Sequence, residues 1–150
     1  MNAESPEHQA YRAILAQHQE LKALLARIDD ALAARKATIA EVGDLLGQLG
    51  DRLVKHFATE EDGGYFAEAL AHAPQLVSKA NQLLAQHPKM RTHAQRIVVE
   101  LQGPGTGGAD AWWEETSRRF REFREELLKH ETRENGLLQE AYGRDIGSHD

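Results

Sequence analysis

Four long segments of this chain repeat apolar residues every three to four positions, and each carries one histidine on that apolar stripe. A period of 3.6 residues gathers such a stripe on one side of an α-helix, whereas a strand needs strict alternation, which no stretch of comparable length has. The reading is therefore all-α. The first segment opens at Ser5-Pro6-Glu7, a capping serine followed by proline at the first helical position, and runs to about Arg35. Its stripe is Tyr11, Leu15, His18, Leu21, Leu25, Ile28 and Leu32. The second starts at a capping box, Thr38-Ile39-Ala40-Glu41, carries Val42, Leu46, Leu49, Leu53, His56 and Glu60, and breaks at Gly63-Gly64. Pro74 opens the third, with Leu76, Ala80, Leu83, His87, Met90, Ala94, Ile97 and Leu101, and the glycine-rich run 103–108 ends it. Asp110 is the expected cap of the fourth, which carries Trp113, Thr116, Phe120, Phe123, Leu127, His130, Glu134, Leu137 and Ala141. Of Trp112 and Trp113, one is expected in the core and the other at its rim. Residues 143–150 read as a short irregular tail, and 1–150 as one domain.

Short connections between long amphipathic helices favour an antiparallel up-down four-helix bundle with the four stripes facing inward. The histidines then meet. At 1.5 Å per residue, His18 and His56 differ in height by roughly 3 Å when measured from the turn near Lys36, and His87 and His130 by roughly 6 Å from the glycine connector.

Each inward histidine has leucine three residues before it: Leu15 and His18, Leu53 and His56, Leu84 and His87, Leu127 and His130. Leu-Ala-Gln-His on the first helix recurs on the third, and the histidines of the second and fourth are each followed four residues later by glutamate, so the chain reads as two related helical hairpins. Residues i and i+4 share a helical face, which lets His56 with Glu60, and His130 with Glu134, present nitrogen and oxygen to one interior point. A lone histidine on an apolar stripe is more often a satisfied core residue than a ligand. Two inward glutamates are another matter, since each costs several kcal/mol to bury without positive charge beside it, and no lysine or arginine stands on the stripes between these positions. A metal ion satisfies them. The chain has no cysteine, which leaves nitrogen and oxygen as ligands. Four imidazoles with two carboxylates suit non-haem iron better than magnesium or calcium, with manganese and zinc still open. A ferritin-like site would need Glu-x-x-His on two helices, where this chain has leucine.

Other features carry less. His93 shares a polar face with Gln86, Lys89, Arg96 and Glu100 and is expected to be exposed; His8, His72 and His149 fall in a first turn, a loop and a tail. Pro88, directly after His87, removes a helical hydrogen bond and is expected to kink the helix and free the Leu84 carbonyl. Gly43, Gly47 and Gly50 leave a small surface on the second helix, either for close approach of a neighbour or as mere tolerance. The glycine-rich connector lacks the lysine and hydroxyl residue of a phosphate-binding loop. A net charge of -6 gives no basic footprint for nucleic acid or an anionic membrane. The first residues hold no basic segment followed by an apolar run, and no window nears the roughly 20 apolar residues of a spanning helix, so a cytoplasmic protein is expected.

Through His18, His56-Phe57-Ala58-Thr59-Glu60-Glu61, His87 and His130-Glu131-Thr132-Arg133-Glu134, the sequence resembles the hemerythrin and HHE cation-binding family over nearly its whole length. The resemblance implies a hemerythrin-like bundle holding two irons bridged by carboxylates and an oxo or hydroxo group, with His18, His56, His87 and His130 as terminal ligands and Glu60 and Glu134 bridging. It implies binding or sensing of dioxygen, nitric oxide or peroxide. Oxygen-carrying hemerythrins place a second histidine on the third helix, four residues after the first, where this chain has Arg91. Of about twelve positions on two six-coordinate irons, four histidines, two bridging glutamates and a bridging oxygen fill roughly ten. Glu61 and Tyr11 are the candidates for another oxygen, although Glu61 sits about 100° round the helix from Glu60 and is expected to face solvent. The open positions motivate a second reading, a peroxide-decomposing or oxidase-like enzyme. A structural or interaction bundle with another metal, or none, is the third.

Overall fold

A computed structural model describes residues 6–62, 70–71 and 73–147, with side chains from 11 to 141 within those ranges. Among the described residues there are four α-helices and no strand: α1 (Pro6–Ala34), α2 (Ile39–Asp62), α3 (Val77–Glu100) and α4 (Gly108–Gly147). A 3-10 turn, Pro74–Leu76, leads into α3. Each helix packs on the one before it, and α4 closes onto α1. Cross-helix bonds fix the directions. Gln17 pairs with His56 and Glu20 with Arg52; Gln86 pairs with His130 and Glu100 with Arg119; His18 pairs with Asn135 and Asp29 with Arg124. Numbers rise along one partner as they fall along the other, so these neighbours are antiparallel, as the apolar periodicity predicts.

Local chemistry explains the ends. The Glu41 backbone N–H donates to Thr38 Oγ1 at 3.1 Å, the cap expected for α2. α1 stops where Arg35 takes a left-handed φ of 53°, its N–H returning to the Ala31 carbonyl. α4 starts two residues before the cap expected at Asp110, on Gly108, whose φ of 81° suits glycine; Asp110 lies within the first turn, where its charge faces the positive end of the helix dipole. At its far end α4 runs to Gly147, so the irregular tail expected from residue 143 is helical at least that far. One glycine in a helix costs only about 1 kcal/mol, too little to stop α4 at Gly143. α3 is continuous through Pro88, which faces solvent. Gly63, Gly64 and His72, with Ser5 and His149, lie outside the described residues, as does the side chain of His8.

Among the described residues, the interior has two apolar clusters. The larger gathers residues such as Leu25, Ile28, Leu46, Leu53, Phe57, Met90, Ile97, Phe120, Phe123 and Leu127; the smaller holds Ile14, Ala73, Leu76, Ala80, Leu83, Leu137, Leu138 and Ala141. On α1, His18 stands between Ile14 of one and Leu21 of the other; on α3, His87 stands between Leu83 and Met90. The histidine-glutamate layer thus divides the core, with apolar packing above and below to exclude water. Two expectations need correction. Leu15, expected on the α1 stripe, is only half-buried, and Ile14, four before the histidine, is buried in its place, whereas on α3 Leu83 is buried as expected. Either spacing lies within one turn, and which one points inward is set by the rotation of each helix against its neighbours. Trp112 and Trp113 are both buried: Trp112 Nε1 donates to the Leu101 carbonyl at the end of α3, and the two indoles meet edge to face at 5.1 Å. No described helix is long and apolar enough to cross a membrane.

Candidate metal centre

His18, His56, His87 and His130 expose 1%, 2%, 0% and 1% of their surface, and Glu60 and Glu134 2% and 0%. Their ligand atoms form two sets, each lying within 4.8 Å: His18, His56, Glu60 and Glu134, and Glu60, His87, His130 and Glu134. All six residues singled out from the sequence come together, with both glutamates common to the two sets. The contacts agree. Glu60 Oε1 lies 3.1 Å from His56 Nε2 on its own helix and 3.5 Å from His87 Nε2 across the bundle. Glu134 Oε1 lies 2.6 Å from His130 Nε2, and its Oε2 3.9 Å from His87 Nε2.

The outer nitrogens decide which atoms face inward. Gln17 Oε1 accepts from His56 Nδ1 at 2.6 Å, Gln86 Oε1 from His130 Nδ1 at 2.8 Å, Asn135 Oδ1 from His18 Nδ1 at 2.7 Å, and Glu61 Oε2 from His87 Nδ1 at 3.2 Å. With Nδ1 carrying the proton, each neutral ring turns the Nε2 lone pair to the centre, the tautomer a metal needs. The Nε2 atoms of His18 and His56 have no hydrogen-bond partner, those of His87 and His130 face each other at 3.1 Å, and the oxygens of Glu60 and Glu134 are likewise without donors. So many buried acceptors facing one another are a heavy penalty unless a cation lies among them.

Protonation follows burial. It lowers the His18, His56 and His87 imidazoles to about 4, with the neighbouring His56 adding to the effect on His18, so these rings are neutral donors at neutral pH. Burial raises Glu60 to about 7, and burial together with the adjoining Glu60 raises Glu134 well above the usual carboxylate range. Carboxylates that resist ionisation in a cluster of neutral imidazoles become stable anions once a cation supplies positive charge.

Sequence reasoning missed the supporting residues. Gln17 and Gln86 sit in the repeated Leu-Ala-Gln-His, directly before the histidine of their own helix, and each bonds the histidine of the next helix in the chain; the repeat itself was the available signal. Glu61 is not simply solvated. Its side chain, 35% exposed, accepts from Arg91 Nη1 at 2.9 Å as well as from His87. Burial raises this carboxyl, but the bonds and charges of Arg91 and His87 together outweigh it and hold it low. Arg91, in the place of a fifth histidine, therefore steadies a histidine partner. Glu131, buried and with both oxygens unpartnered, was also passed over; burial, then the charge of Glu134, raises it to about 8. Tyr11 is half-buried against the smaller apolar cluster. His93 lies outside the cluster and is half-buried rather than exposed, its ring edge to face with Phe123 at 5.3 Å and its Nδ1 donating to Glu126 at 3.0 Å.

A helical bundle with buried imidazoles and carboxylates in its core defines a cation-binding four-helix protein. The family model of the hemerythrin HHE cation-binding domain matches residues 9–142, and the chain belongs to that family. No curated protein and no solved structure matches it.

Proposed function

We propose that this chain is a non-haem di-iron protein that binds or senses dioxygen or a related small molecule such as nitric oxide or peroxide. His18 and His56 hold one iron, His87 and His130 the other, and Glu60 and Glu134 bridge them. The observation that carries this reading is the paired donor set: two groups of four ligand atoms, each within 4.8 Å, sharing both glutamates. Imidazole with carboxylate is a donor set that iron favours. When bound, the iron pair supplies redox-active positions for a small ligand. The chain's own residues keep the rings neutral and correctly turned through Gln17, Gln86, Asn135 and Glu61, and the two apolar clusters keep water from the layer.

One observation favours the second reading, a peroxide-decomposing or oxidase-like enzyme. Arg91 stands where an oxygen carrier would have a fifth histidine and is itself paired with Glu61, so that coordination position has no protein ligand from α3. The test is iron per chain, with the visible spectrum of anaerobically reduced protein before and after air, then peroxide. About two irons with a band that appears in air and fades under vacuum support the first reading. Rapid loss of peroxide supports the second, and iron near zero removes both.

A further inference from the structure

Among the described residues, Glu131 is the one member of the buried polar layer that the two donor sets leave unused. It is 1% exposed and neither of its oxygens has a hydrogen-bond partner. Its place on α4 is set by Asn135, one turn later on the same face, which bonds His18 Nδ1. Glu131 therefore looks toward α1, and it is electrostatically coupled to Glu134, to Glu60 and to the exposed Lys22, one turn beyond His18. The repeat sharpens its meaning. In the first hairpin the residue after the ligand histidine is Phe57, whose ring stacks on His87 of the next helix at 4.0 Å and 10°. In the second hairpin the same position is Glu131, on the face of α4 that carries Asn135 and meets α1. One half of the layer is closed by an aromatic ring, the other by an unpartnered carboxylate.

We propose that Glu131 is a metal ligand on the His18–His56 side alone, so that the two metal positions are chemically unequal. This rests on the two-metal reading above. The Glu131 oxygens stand outside the two sets of mutually close ligand atoms, so ligation requires rotation about the side-chain bonds beyond a Cβ that α4 holds fixed. The His18–His56 position then has two imidazoles, a carboxylate of its own and a share of both bridging glutamates, whereas the His87–His130 position has only two imidazoles and the shared carboxylates. The first fills first and more tightly. The second has fewer protein ligands of its own, which would leave positions there for the small molecule.

The experiment is an anaerobic titration of metal-free protein with Co(II) and with Fe(II), followed by optical absorption and equilibrium dialysis, on wild type, Glu131→Gln and Glu131→Leu. Glutamine keeps the shape of the side chain and loses the charge; leucine loses the oxygen as well. Wild type takes up two ions in two resolved steps. Each variant weakens the tighter step at least about tenfold and leaves the weaker step in place, and iron-57 Mössbauer spectra change in one of two equal doublets. Thermal melting of the metal-free variants checks folding, and if the leucine variant does not fold the glutamine variant decides. Two ions with unchanged affinities in a folded variant overturn this inference alone, while a wild type that binds no ion overturns the two-metal reading with it.

Discussion

The two hairpins of the bundle, α1 with α2 and α3 with α4, are built on one plan, and among the buried residues of the layer and the partners of its histidines they diverge at two positions. In both, a glutamine before one histidine steadies the next helix's histidine, and a glutamate four residues on reaches the centre. They part at Phe57 against Glu131, and at Glu61 against Asn135. His87 therefore has a charged carboxylate behind it, itself held by Arg91, and a ring stacked on its face, while His18 has a neutral amide behind it. A charge-assisted bond is roughly twice as strong as a neutral one and makes the ring a better donor. Duplication of a hairpin explains why the layer is nearly symmetric; these substitutions give its halves different chemistry.

The largest expected effect abolishes the comparison. Glu60→Ala or Glu134→Ala, each removing a carboxylate common to both halves, should eliminate binding of both metals. With metal supplied, calorimetry should show both variants melting below wild type, because wild type gains stability from bound metal and they do not, and adding metal should leave their melting temperatures unchanged. Retention of two ions would sink the bridging role.

Next come the residues behind the rings. Gln17→Ala and Gln86→Ala should each weaken metal binding about tenfold, on opposite sides of the layer, measured by competition with a chelator. Glu61→Ala should weaken binding more than Asn135→Ala, because it removes a charged partner from His87; equal losses would mean that the charge has no effect on the metal.

Protons set a smaller effect. In metal-free protein Glu60 and Glu131 keep protons up to about 7 and about 8 that the unfolded chain releases near 4.5, so these groups lose stability as pH rises. His18, His56 and His87, lowered from 6.5 to about 4, act oppositely but only below 6.5. The melting temperature of metal-free protein should fall from pH 6.5 to 8, and metal should reverse the slope. The smallest change lies outside the layer. A Cβ on Gly47 meets nothing within 4 Å, so no neighbour needs that surface, and Gly47→Ala should stabilise the protein by about 0.5–1 kcal/mol in denaturant melts without altering metal binding.

The helices, their apolar stripes and the six residues of the layer were legible in the sequence because each depends on spacing within one helix, and spacing of three or four residues fixes which side chains share a face. What was not legible depends on the angle between neighbouring helices. Glu61 and Asn135 follow directly after the inward glutamates and look like solvent-facing residues until α3 and α1 bring His87 and His18 against them. Glu131 sits one residue off the stripe, where a single helix gives no reason to bury it, and only the closure of α4 onto α1 does so. The sequence by itself determined that four imidazoles and two carboxylates would share one interior layer, through the periodicity of each helix and the short turns between them. Only the tertiary structure decided which nitrogen of each ring faces inward and that a third carboxylate, Glu131, is buried, because both depend on contacts between helices, the longest of them joining residues 117 positions apart.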